Sequence, residues 1–193
     1  MSNLRKLRQA YQPEVCEHCK QTTTYLLPVD RGTVDIVKSI ATAIRRKGIN
    51  IIHPRKEMEV SSRTDLDYKT MVEEGILTSN QINNLSRPRF HGLIAKVKDN
   101  PGNYCLTEKG GQFLRGREIP RFAIVSKAEG KQIGYYEELE YRVQLKDFAP
   151  DEEYWEGINF DIVEGRIVKD LPVITAKTVE AGTIDHKAQT NLF

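Results

Sequence analysis

The sequence predicts an α+β fold, and three observations lead to this prediction. They are an amphipathic helical pattern near the start, a dense turn between two short apolar runs, and strand-like runs in the last third. The chain has 193 residues, 39% of them hydrophobic and 29% charged, which is typical of a globular protein. We divide it into an N-terminal segment with a cysteine knuckle (1–32), a helical core (33–116), a β-rich C-terminal part (117–170) and a polar tail (171–193).

The clearest helix is predicted from Thr33 to Lys47. Its apolar residues recur at spacings of three and four and form one stripe: Val34, Val37, Ile40, Ala41 and Ile44. Thr33 is the expected N-cap, and Asp35 falls in the first turn, where the helix dipole favours negative charge. Basic residues occupy the last turn, and Gly48 is expected to end the helix in a left-handed conformation.

Shorter elements follow this helix. The β-branched run Ile49–Ile52 predicts a strand that stops at Pro54, and residues 65–75 predict a weaker helix. Another helix is predicted over residues 78–85, with Thr78 or Ser79 as its cap. Pro88 leaves two endings open, because it either ends this helix near Ser86 or opens a further turn.

A β-hairpin is predicted next. The strands are residues 93–97 and 104–107, and the turn is the cluster of Asp, Asn, Pro and Gly over 99–103. Thr107 is expected to cap a helix that ends near Arg115, although Gly110 and Gly111 weaken it.

Two phrases within residues 33–116 resemble winged helix-turn-helix proteins of the kind found in prokaryotic and phage regulators. Residues 85–93 (LSRPRFHGL) resemble the end of a recognition helix, and residues 104–114 (YCLTEKGGQFL) resemble the exit from the wing. Pro88 departs from the usual recognition helix, which has no interior proline. The resemblance implies a regulator or replication accessory that binds double-stranded DNA, with the helix around 78–91 in the major groove and the 99–103 wing along the backbone.

The residue types in and around the helix at 78–91 are suited to contacts with DNA. Asn, Gln and Arg side chains pair with base edges, and Lys and Arg neutralise phosphates. The candidate DNA-binding residues are Ser79, Asn80, Gln81, Asn83, Asn84, Arg87, Arg89, Lys96, Lys98, Lys109, Arg45 and Arg46. Further phosphate contacts are expected from Lys47, Arg55, Lys56 and Arg63.

The charge distribution leaves two kinds of partner open. Residues 1–135 carry a net charge of +9, and residues 136–193 carry −7. A basic body indicates an anionic partner such as DNA, although charged faces also serve solubility. The alternative is a winged-helix module that binds proteins and uses the acidic C-terminal part as its other contact surface. A homodimer is compatible with either interpretation.

Cys16 and Cys19 form a Cys-x-x-Cys step, which is half of a tetrahedral zinc site. No second such step follows, so the other ligands are not evident. The remaining candidates are Cys105, His18, His53, His91 and His186. A zinc ion shared by the pairs of two chains and a pair without metal both stay open.

The last part is expected to be mostly strands. Runs at 122–125, 133–136, 139–145 and 160–168 have strand character, and Gly130 is expected to turn the first pair. These runs suggest no named fold.

Enzymatic and membrane functions are not expected. The sequence contains no phosphate-binding loop, dinucleotide fingerprint, nucleophile elbow or zinc-protease motif. Asp65-x-Asp67 and the acidic cluster at 137–140 are more often chance spacings than magnesium sites. No apolar run is long enough to span a membrane, and the three cysteines fit a reducing, cytoplasmic setting.

Overall fold

A computed structural model of the protein describes residues 11, 13–61, 68–97, 102–136, 141–148 and 173–174. Helices and strands both occur throughout these ranges, in agreement with the predicted α+β class. Lys98, the turn at 98–101, the acidic cluster at 137–140 and the predicted hairpin at 160–168 lie outside the described residues.

Strand β1 (Thr24–Pro28) leads into helix α1 (Arg31–Lys47), which starts two residues earlier than predicted. The cap is Asp30 and not Thr33, because the Asp30 carboxylate accepts hydrogen bonds from the backbone N–H of Thr33 at 2.8 Å and from its hydroxyl at 2.7 Å. Gly48 ends the helix with a φ of 64°, as predicted. Asp35 was predicted in the first turn, but the earlier start places it beyond that turn, and its side chain is buried.

Helix α1 is the centre of the fold. All twelve residues from Thr33 to Ile44 are buried, so the helix is covered on every side and not only along its predicted apolar stripe. The stripe residues themselves are between 0% and 7% exposed, which confirms the sequence pattern. Helices and the hairpin described below pack around α1.

Short elements follow α1: α2 (Pro54–Glu57), β2 (Val60–Ser61), α3 (Tyr68–Glu74) and β3 (Leu77–Thr78). The predicted strand at 49–52 is reduced to an isolated antiparallel bridge between Ile52 and Tyr104. Strands β2 and β3 pair in parallel, which the sequence did not predict.

The helix predicted around 78–91 is divided into α4 (Ser79–Asn83) and α5 (Ser86–Phe90). Thr78 caps α4, as predicted. Pro88 is the third residue of α5, a position whose N–H has no intrahelical acceptor, so proline costs no hydrogen bond there. Residues spaced by three face inward along both helices: Ile82, Leu85, Pro88 and His91.

The predicted hairpin is present as β4 (Ile94–Lys96) and β5 (Tyr104–Leu106), which pair antiparallel with Ala95 opposite Cys105. Helix α6 (Glu108–Leu114) follows, and the Thr107 hydroxyl oxygen accepts from the N–H of Gly110 at 2.9 Å. This hydrogen bond confirms Thr107 as the cap.

A second sheet joins the two ends of the chain. It has the order β1, β7 (Phe122–Ser126), β8 (Lys131–Tyr136) and β10 (Val173–Ile174), with β1 and β8 antiparallel to β7. The predicted strands at 122–125 and 133–136 are confirmed, whereas β1 was not predicted. A smaller pair is formed by β6 (Ile119–Pro120) and β9 (Arg142–Val143), followed by a short 3₁₀ helix at Leu145–Asp147.

The main hydrophobic core extends across these parts. It contains buried residues of α1 together with Leu93, Phe113, Val143 and Leu145. Each of these last four residues is at most 3% exposed. Residues after position 117 thus share one core with the helical region. No helix among the described residues combines the length and apolarity needed to cross a membrane.

Gly110 has a packing role that its helical position alone does not reveal. A Cβ at this position would collide with the carbonyl oxygen of Leu93 and lie 3.1 Å from Cδ1 of Leu106. We expect Gly110→Ala to lower the free energy of unfolding by about 1–3 kcal/mol through overpacking, although alanine normally favours helices. Equilibrium urea denaturation measures this change.

Gly32 provides the matched control, because it also lies in a helix but a Cβ there would meet only Oδ1 of Asp30 at 3.7 Å. Gly32→Ala is therefore expected to raise the free energy of unfolding by up to about 1 kcal/mol. If the free energy of unfolding changed in the same direction in both variants, the close approach of α6 to Leu93 would be contradicted.

Candidate nucleic-acid interface

A cleft of about 250 Å³ lies between the start of α2, helices α4 and α5, and the β4–β5 hairpin. Its buried wall contains Ile82, Leu85 and Tyr104. Arg55 and Lys96 line it as exposed side chains, and Arg89 lines it half-buried. Three positive charges from α2, α5 and β4 therefore surround one concave surface.

The position of α2 beside the hairpin is fixed by backbone pairing. Ile52 donates its N–H to the carbonyl of Tyr104 at 2.9 Å, and Tyr104 donates back at 2.8 Å. Pro54 then opens α2 at its first turn, where proline suits the helix start. Arg55 follows directly, so the pairing of two distant segments places it on the same cleft as Lys96.

The three cations keep their charge available to a ligand. Arg55 donates from Nη2 to Oδ1 of Asn83 at 3.0 Å, which links α2 to α4. The guanidinium of Arg89 lies 5.3 Å from the ring centre of Phe90. Within the part of the chain that the structure describes, none of the three cations forms a salt bridge. The cleft can therefore attract an anion such as a phosphate.

His53 and Gly102 close one side of the cleft. Gly102 has a φ of 87°, and a Cβ there would lie 2.6 Å from Nε2 of His53. Only glycine allows the hairpin to approach His53 so closely. The backbone N–H of His53 donates to the carboxylate of Glu57 at 2.5 Å, so the one acidic residue of α2 is bound to the start of its own helix.

Several predicted base-contacting side chains are engaged locally. Gln81 accepts from the backbone N–H of Thr78 at 2.8 Å and completes a capping box with it. The amide of Asn84 donates to the carbonyl of Asn80 at 2.8 Å and to its side-chain oxygen at 3.0 Å. Ser79, Asn80 and Asn83 are exposed on α4. Of the predicted amide residues, only Asn83 lines the cleft.

The other predicted cations lie away from the cleft. Arg87 forms a salt bridge with Asp30 at 2.6 Å, and the ammonium of Lys109 lies 3.6 Å from the ring centre of Tyr135. Arg45 and Arg46 are exposed at the end of α1, where Arg46 donates to the carbonyl of Glu74 at 2.9 Å. These four residues do not line the cleft, and Lys98 lies outside the described residues.

Two features of the cleft were not predicted from the sequence, namely some of its lining residues and the position of Arg55. Ser86 and Tyr104 line it, but the sequence predicted them only as a helix end and a strand residue. Arg55 was expected as a supplementary phosphate contact, and no local pattern placed it beside Lys96. Their convergence depends on the Ile52–Tyr104 pairing, which has no sequence periodicity.

His91 is completely buried at the end of α5, beside the backbone of Pro28. Burial away from water, together with the positive charges of Lys109 and Arg87, lowers its pKa from 6.5 to about 3, against the opposing effects of the Pro28 backbone and of Asp30. The imidazole is therefore neutral and packs as a core residue.

We expect this histidine to make the protein sensitive to acid. Its pKa is lower in the folded state, so the unfolded state binds more protons below pH 6.5. The free energy of unfolding then falls with decreasing pH by up to about 1.4 kcal/mol per pH unit from this group. His91→Leu should remove this contribution between pH 6.5 and 4, as measured by urea denaturation at each pH. Parallel pH profiles of variant and wild type would contradict it.

The predicted metal ligands are not brought together among the described residues. Among residues 11, 13–61, 68–97, 102–136 and 141–148, no group of three or more His, Cys, Asp or Glu side chains is placed to hold a metal ion. Cys16 and Cys19 lie on a single turn and are both free thiols. Hydrogen bonds from the backbone of Cys19 and His18 lower the pKa of Cys16, whereas burial raises the pKa of Cys105. His186 lies outside the described residues.

Comparison with known proteins gives no match: no family model fits the chain, and no curated protein or solved structure is significantly similar to it. The function is therefore inferred from the geometry and charge of the cleft itself.

Proposed function

We propose that this protein binds double-stranded DNA with the face formed by α4, α5 and the β4–β5 hairpin. The observation that carries the proposal is the convergence of Arg55, Arg89 and Lys96, from three separate elements, on one cleft. Phosphate neutralisation by lysine and arginine supplies most of the affinity of proteins for DNA in the absence of sequence recognition.

The order of elements supports the same proposal. Helix α1, the Ile52 bridge, α3, the α4–α5 segment and a β-hairpin follow one another as helices and strands do in winged-helix proteins. In such a protein α4 and α5 would enter the major groove, and the hairpin would lie along the backbone. The basic cleft between these two elements would then face the phosphates that border the groove.

The contacts favour recognition of the DNA backbone over recognition of base sequence. Gln81 and Asn84 have their side chains engaged within α4, and Arg87 is paired with Asp30. A side chain that reads a base edge needs its donors and acceptors available in a fixed geometry. Asn80 and Asn83 are exposed on α4, and their side-chain oxygens already accept hydrogen bonds from Asn84 and Arg55. We therefore propose general DNA binding with at most a modest sequence preference.

The first test removes two of the three cleft cations. Arg89→Ala combined with Lys96→Ala should lower the affinity for a random duplex at least tenfold, measured by fluorescence anisotropy with a labelled duplex. Each lost phosphate contact should reduce the slope of log affinity against log salt concentration by about 0.9. Circular dichroism verifies that the double variant is folded.

The matched control is Lys131→Ala, because Lys131 is also a partly exposed lysine but pairs with Glu129 at the start of β8. This variant should keep both the affinity and the salt slope of the wild type. If the double variant bound DNA as the wild type does, the cleft would not be the DNA site. If the wild type bound no duplex at low salt, the protein-binding alternative would be favoured.

A second test concerns sequence preference. We expect affinities for unrelated duplexes of equal length to agree within a few-fold, because a few phosphate contacts dominate. Selection from a random duplex library, with Asn80→Ala as the comparison, measures this directly. A strongly enriched sequence motif that disappears in Asn80→Ala would show base reading by α4 and contradict the proposed mode.

A further inference from the structure

The Cys-x-x-Cys step lies at the tip of a small hairpin. Val15 and Thr22 form an antiparallel bridge at its base. Between them, the N–H of Cys16 donates to the carbonyl of Gln21, and the N–H of Lys20 donates to the carbonyl of Cys16, both at 2.9 Å. The two cysteines thus sit on one closed turn.

The turn presents its two sulfur atoms as a pair of metal ligands. Cys16 is half-buried, and residues 17–20, including Cys19, are exposed. Two thiolates separated by two residues have the spacing found in tetrahedral zinc sites.

The hairpin is attached firmly to the sheet of β1, β7 and β8. Lys127 donates its backbone N–H to the carbonyl of Thr23 at 2.7 Å, and its ammonium donates to the hydroxyl oxygen of Thr22 at 2.6 Å. Thr24 bonds to the hydroxyl of Tyr11 at 2.9 Å. The turn also holds Lys20 at a φ of 57°, a left-handed conformation that non-glycine residues seldom adopt.

One chain cannot complete a zinc site from its described residues. Zinc requires four ligands, and no group of three or more ligand side chains exists in that part of the chain. Cys105 lies on the β4–β5 hairpin, where its Sγ faces the carbonyl of Ala95 at 3.8 Å. Two further ligands have to join Cys16 and Cys19, and a second copy of this turn would provide both of them as thiolates.

The surface around the turn suits a second copy of the same chain. The described residues have three exposed large hydrophobic side chains, and two of them, Val15 at 51% and Tyr25 at 37%, belong to this hairpin and to β1. Among the described strands, β1 also lies at one edge of its sheet. Exposed apolar side chains near a sheet edge favour association between copies.

We propose that Cys16 and Cys19 form half of a tetrahedral Zn²⁺ site that the same two cysteines of a second copy complete, so that zinc links two chains. Binding converts four thiols to thiolates and releases their protons to solvent. The inference does not depend on the proposed DNA binding.

The test uses the full chain, freed of metal and kept in a phosphine reductant. Titration with Co²⁺ should produce the absorption of a tetrahedral tetrathiolate complex and saturate at one metal ion per two chains. Zn²⁺ should displace the cobalt stoichiometrically. Light scattering coupled to size-exclusion chromatography should then show twice the mass of the metal-free chain.

Variants identify the ligands. Cys16→Ser and Cys19→Ser should each abolish the cobalt–thiolate absorption and the doubling of mass while circular dichroism stays unchanged. Cys105→Ser is the matched control and should retain both. Absence of the tetrathiolate spectrum in the wild type, one metal ion per chain at unchanged mass, or loss of metal in Cys105→Ser would each overturn the proposal.

Discussion

The arrangement of this fold depends on the two interactions of the Asp30 carboxylate, a helix cap and a salt bridge. One oxygen caps α1 through the N–H and hydroxyl of Thr33, and the other forms a salt bridge with Arg87 in α5. Helix α1 is buried from Thr33 to Ile44, so its N-terminal N–H groups need a partner that water cannot easily provide. The same carboxylate therefore sets where the central helix begins and where α5, a wall of the cleft, lies against it.

Much of the local structure could be predicted from the sequence, because caps and turns depend on neighbouring residues. Thr78, Thr107 and Gly48 act at helix ends as their residue types predict. The cap of α1 was the exception, because Thr33 was predicted and Asp30 occupies this position. Thr33 and Asp30 are both good caps, and the polar residues between them carry no apolar period that would distinguish the two starting points.

The long-range pairings could not be predicted in the same way. Strand β1 joins β7, which lies about half the length of the chain further on, and the bridge between Ile52 and Tyr104 involves a single residue on each side. Elements of one or two residues have no periodicity to detect, and their formation depends on the packing of the whole core. The position of Arg55 beside Lys96 was missed for this reason, since it depends on the bridge between Ile52 and Tyr104.

The candidate DNA-binding residues were predicted from the hydrogen-bonding groups and charges of their side chains. In the fold, the side chains of Gln81, Asn84 and Arg87 already form hydrogen bonds or a salt bridge, which limits their ability to bind base edges. For Gln81 the sequence held a usable signal, because Thr78-x-x-Gln81 is a capping-box pattern that commits the glutamine to the helix start. For Arg87 no such signal existed. The cleft cations that remain stand on elements of three to five residues, which are held by tertiary contacts and not by their own helix or strand propensity. Attraction between a lysine or arginine and a phosphate tolerates small displacements, whereas hydrogen bonding to a base edge requires fixed directions. A surface built from such short elements is therefore better suited to the DNA backbone than to a particular base sequence.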